Sequence, residues 1–157
     1  MGIRYYAYPI AAEDYETARA DPCPFHGRDP FADAWGPRDD RPEMLYLDKC
    51  WNELQAMFGP APGVSARPTY ALVEGQVTHV DMGRIPFERA LSPGEVRTIA
   101  SDIATVGDDE IRSLMARSIS HPDDEQEFSY IQHFLGEAQR FVTDLANDGR
   151  GLVYMIG

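Results

Sequence analysis

The chain is poor in cysteine and in positive charge, and each shortage narrows what it can be. Two cysteines, Cys23 and Cys50, in 157 residues are too few for a disulfide scaffold. Only 14 basic residues stand against 26 acidic ones, for a net charge of -12. Such a balance repels nucleic-acid phosphates and anionic lipid, so neither nucleic acid nor a membrane is an expected partner, whereas a basic protein is. No apolar run approaches the ~20 residues that span a bilayer. The opening Met1-Gly2-Ile3-Arg4-Tyr5-Tyr6 lacks the apolar core of a secretory signal and the Ser or Thr at position 6 that myristoylation uses. The expected compartment is the cytoplasm. Also missing are a Gly-rich phosphate loop, a Gly-x-Ser-x-Gly elbow, a His-Glu-x-x-His pair and the oxygen-ligand spacing of a calcium loop.

What is present is a globular composition, 43% hydrophobic and 11% aromatic. A chain of this length buries roughly two-thirds of its unfolded surface in one domain. Its centre is expected around Met44 to Gly59. Leu47, Trp51, Leu54 and Phe58 recur at four, three and four residues and share one face of a helix, with Lys49, Asn52, Glu53 and Gln55 opposite. Asp48 is read as the N-cap of that helix, where its carboxylate suits free N–H groups and the positive helix end.

Residues 2–10 read as a strand and residues 11–20 as a short helix with Tyr15 and Ala18 inward. Five prolines break residues 21–43, an irregular excursion pinned by Phe25, Phe31 and Trp35. Residues 69–73 and 76–82 suggest a hairpin turning at Glu74-Gly75. Ser92-Pro93-Gly94-Glu95 is a capping box opening a helix whose inner face is Val96, Ile99, Ala100 and Ile103, closed by a left-handed Gly107. A helix from Asp108 or Asp109 carries Ile111, Leu114, Met115 and Ile119. The longest helix runs from a cap at Asp124 to Asp148, with Gly136 suggesting close packing and Gly149 as its stop. Gly151 to Ile156 is a near-continuous apolar strand, covered on both faces.

These pieces imply an α+β fold. The first and last strands share one small sheet, and the helices between 92 and 148 pack on one side of it. Tyr5 or Tyr6, Trp51, Ile99, Ile103, Leu114, Phe134, Phe141, Val153 and Tyr154 are the expected core. Met1-Gly2 running into a strand, Leu47-Asp48-Lys49-Cys50-Trp51 leading a helix, the helical second half and the closing strand from Gly151 to Gly157 resemble the YfbM-like family of bacterial proteins of unknown function. The resemblance spans nearly the whole chain and implies a single compact domain over residues 1–157. It implies no substrate and no catalytic residues.

Candidate chemistry is thin. Cys23-x-x-His26 is one weak pair where a structural zinc site needs two, so no metal or other cofactor is expected. Cys50 has no base adjacent in sequence and reads as structural. Two functions remain. One is a non-enzymatic protein-interaction domain, such as a toxin antagonist, whose acidic surface speeds encounter with a basic partner. The alternative is a small-ligand binder or enzyme with a pocket near the helix at Asp48. Its candidate residues are Asp48, Lys49, Trp51 and Asn52, with His79 and Asp81 as a second polar pair. The composition favours the first.

Overall fold

Tyr5–Ile10 forms strand β1, and its alternation assigns a destination to every side chain. In this computed structural model, which describes residues 2–118 and 121–157, β1 lies beside β2 (Leu45–Asp48) and β6 (Gly151–Ile156), and β6 pairs on its other side with β5 (Phe87–Leu91). The four-stranded sheet has the order β2-β1-β6-β5 and every pairing is antiparallel. Tyr5, Ala7, Leu152, Tyr154 and Ile156 point into the larger core. Tyr6, Tyr8, Ile10 and Val153 point into a second, smaller one. The apolar strand at 151–156 is thus covered on both faces, as its composition required.

The larger core lies under α3 (Trp51–Phe58), α4 (Pro93–Ile103), α5 (Asp108–Ser118) and α6 (Glu125–Asp148). The capping box of α4 is complete: Glu95 N–H donates to Ser92 Oγ at 3.1 Å and Ser92 N–H to Glu95 Oε2 at 2.8 Å. Asp124 caps α6 by accepting from the N–H groups of Gln126 and Glu127. Gly149 ends it at φ 66°, in the left-handed region. The expected core residues are buried, except that Phe134 is half-buried at its edge. Ile119 lies outside the described residues. Among the described residues no helix is long and apolar enough to cross a membrane.

Four local expectations are corrected. The excursion at 21–43 contains a helix, α2 (Pro30–Trp35), capped by Asp29, and it covers the smaller core together with α1 (Tyr15–Ala20). Buried Ala34 and half-buried Phe25 seat it, whereas Phe31 and Trp35 are exposed, because a small residue lets this short helix lie close to the sheet. Residues 68–72 form a 3-10 turn, not a strand. The hairpin lies further on, between β3 (Thr78–Val80) and β4 (Gly83–Ile85), and turns at Asp81-Met82. Gly75, at φ 133°, belongs to a connection whose carbonyl accepts from Gln55 Nε2. Gly107 does not end α4, which stops at Ile103; its N–H donates instead to Glu110 Oε2 at the start of α5. Finally, a Cβ on Gly136 would meet nothing within 4 Å, so no close packing explains that glycine.

Candidate functional site

The segment expected to begin a helix at Asp48 does something else. Asp48 is the last residue of β2 and has φ 48°, a left-handed conformation that Asp tolerates better than most residues. Cys50 N–H closes the turn onto Leu47 C=O at 2.9 Å, and α3 starts at Trp51 with no side-chain cap. The expected capping role of Asp48 is therefore overturned: the left-handed turn carries its carboxylate away from the helix.

That carboxylate collects three donors, one from its own strand and two from distant parts of the chain. Arg4 Nε donates to Oδ1 at 3.1 Å, Tyr46 Oη to Oδ1 at 2.9 Å, and Tyr130 Oη to Oδ2 at 3.3 Å. Trp35 Nε1 donates in turn to Tyr46 Oη at 3.1 Å. The Arg4 guanidinium also lies 5.4 Å from the Phe31 ring centroid. Burial, and then the Asp48 charge, raise the Tyr130 phenol. Tyr46 is raised by burial too, so both remain hydroxyl donors at neutral pH.

Tyr46 also forms a wall of a cleft of about 260 Å³ between the 3-10 turn Arg38–Asp40 and α6. Met44, His133 and Phe134 line it with Tyr46, and Arg38, Arg41 and Glu137 bring charge to its rim. The Tyr46 and Phe134 rings meet edge-on at 6.5 Å, and His133 meets Phe134 edge-on at 4.9 Å. Sequence reasoning gave none of these residues a site role, since Arg38 and Arg41 sit in the excursion and His133, Phe134 and Glu137 on the long helix. The one available signal was Phe134, a large aromatic at the margin of the α6 stripe with a histidine beside it.

Of the six residues proposed from sequence, Asp48 alone joins this network. Trp51 is 2% exposed and donates from Nε1 to Ile3 C=O at 3.3 Å, as part of the core. Lys49 is exposed and its aliphatic end lies over Gly2. Asn52 is exposed on a separate groove with Glu53, Ala56 and Leu114. His79 and Asp81 lie on the β3–β4 hairpin, where His79 pairs in register with Arg84. Cys23 is exposed, while Cys50 is buried with its thiol pushed well up by burial, which suits a structural residue and not a nucleophile.

His26, of the Cys23-x-x-His26 pair, is instead buried between the excursion and β5. Its Nε2 lies 3.2 Å from Glu88 Oε1, yet neither ring nitrogen is aligned for a hydrogen bond. Burial lowers its pKa to about 4. The unfolded chain, with histidine at its usual 6.5, binds the proton more readily. The contribution of neutral His26 is therefore complete above pH 6.5 and is lost as pH falls toward 4. The Glu88 carboxylate favours the charged imidazole and reduces the effect to on the order of 1 kcal/mol. Denaturant midpoints measured from pH 7 to pH 4 should show a shallower acid-side fall for His26→Gln than for wild type. Parallel curves would show that His26 titrates alike in both states.

No protein-family model matches the chain. No curated protein matches it. Among solved structures, the crystal structure of YfbM from Escherichia coli, a protein of unknown function, aligns with 99% of this chain and 100% of its own at a TM-score of 0.61. The two are 17% identical, so the likeness speaks for the fold alone. It spans nearly the whole of both chains, and this chain has the YfbM-like fold.

Proposed function

We propose that the protein is a non-enzymatic interaction domain that engages a basic protein partner through its β3–β4 hairpin. The observation that carries this reading is that residues 78–86 are all exposed. Val80, Met82 and Ile85 are 42, 103 and 55% exposed. A lone two-stranded hairpin is marginal in water, and apolar groups displayed on one are the usual mark of a contact surface. The hairpin forms its own two-stranded sheet, so its outer edges are open to a strand from another chain. The net charge of -12 supports a basic partner by steering its approach. Antagonism of a toxin is one activity such a domain performs. A cytoplasmic setting belongs to the same reading and is supported by two cysteines that are both free thiols.

The test pairs wild type with Met82→Asp/Ile85→Asp as baits in native lysate, followed by titration calorimetry with the captured protein. The double variant should keep its thermal midpoint, since both side chains are exposed, and bind at least roughly tenfold more weakly. Equal affinity for both baits would remove the hairpin from the interface.

A further inference from the structure

The cleft beside Tyr46 brings paired positive charge next to aromatic side chains, independent of any protein partner. Acids outnumber bases in this chain, 26 to 14, yet Arg38 and Arg41 stand together at the rim. Among the described residues neither has a carboxylate within salt-bridge distance. Asp39 and Asp40 lie between them in sequence but line no part of the cleft. Glu137, the one acid that does, is engaged by Arg140. Arg41 donates to the Ala34 carbonyl, a contact that fixes its guanidinium at the rim and leaves other N–H groups for a ligand.

The rest of the wall is mostly aromatic. Phe134 and Tyr46 present ring surface, Met44 an adaptable thioether, and His133 a neighbouring ring. The Tyr46 hydroxyl is already committed, donating to Asp48 and accepting from Trp35. It therefore holds the wall in place and does not read the ligand. A volume of about 260 Å³ is small for a binding pocket and suits one ring with one anionic group. A guanidinium engages either a carboxylate or a phosphate through two parallel hydrogen bonds, and the small volume favours the smaller, planar carboxylate.

We propose that the cleft binds a small aromatic carboxylate, its ring against Phe134, Tyr46 and Met44 and its carboxylate on Arg38 and Arg41. The experiment is an NMR titration of the isotope-labelled full chain with benzoate, with benzamide as the neutral isostere and phenyl phosphate as the alternative anion. Benzoate should give saturable shifts at Met44, His133 and Phe134 with a dissociation constant on the order of 1 mM. Benzamide should bind at least roughly tenfold more weakly, and phenyl phosphate more weakly than benzoate. Arg38→Gln should weaken benzoate about tenfold, and Arg41→Lys, which keeps charge but loses the planar fork, should weaken it less. The assignment is overturned if no saturable shift appears at those residues, or if benzamide binds as well as benzoate. It is also overturned if phenyl phosphate binds more tightly than benzoate, or if both variants bind like wild type.

Discussion

Deleting residues 151–157 is expected to abolish cooperative unfolding altogether. The deleted segment contains β6, which lies between β1 and β5, so its loss separates two strands that have no bonds to each other. Leu152, Val153, Tyr154 and Ile156 are completely buried. Each contributes about 1.5–3 kcal/mol on burial, and together they rival the roughly 5–15 kcal/mol that keeps a domain folded. Tyr154 adds specific contacts: its ring stacks on Tyr5 at 5.3 Å and its hydroxyl donates to the Glu74 carbonyl at 2.6 Å. Near-ultraviolet circular dichroism and a thermal scan decide the matter. A truncated chain that melts sharply near the wild-type midpoint would show β6 to be peripheral.

Asp48 is the single side chain whose replacement separates the observed role from the capping role. Asp48→Ala should cost about 2–3 kcal/mol, because Tyr46 and Tyr130 lose their acceptor and alanine is strained at φ 48°. Asp48→Asn keeps an acceptor oxygen and tolerates the left-handed turn, and should cost about 1 kcal/mol through the lost charge opposite Arg4. Asp48→Gly relieves the backbone while losing every acceptor, so it should fall between them, near about 1–2 kcal/mol. Denaturant midpoints rank the three. A helix cap would instead make Asn silent, and a silent Asn would return Asp48 to that role.

The successes and failures of the sequence reading divide by the range of the interaction. Ser92-Pro93-Gly94-Glu95 was legible because its hydrogen bonds close within four residues. The strand at 151–156 was legible because an apolar run with no polar face has few other places to go. Asp48 was misread because the same short acid suits two positions, a helix cap and a left-handed turn, and only Arg4, Tyr46 and Tyr130 decide between them. The excursion at 21–43 was misjudged because its largest side chains, Phe31 and Trp35, drew attention from Ala34, whose small size seats the helix. The hairpin was misplaced because Glu74-Gly75 carries a turn residue, whereas the actual turn at Asp81-Met82 has no glycine and places Asp81 at φ 37°. The cleft was invisible because Arg38, Arg41, Tyr46 and His133 converge only after the excursion folds over α6.

The pairing of residues 5–10 with residues 151–156 sets an order of events during biosynthesis. On the ribosome, β1 emerges with Tyr5, Tyr6 and Tyr8 before its partner β6 exists, because all four long helices are made between the two strands. The helices at 93–148 can gain local structure in the meantime, but the sheet cannot close around its inner strand until translation has passed residue 156. Closing so long a loop is slow compared with forming local contacts. Between the synthesis of β1 and that of β6 the nascent chain is therefore a helical body with one edge of its tyrosine-rich strand unpaired, the form in which a chaperone would meet it.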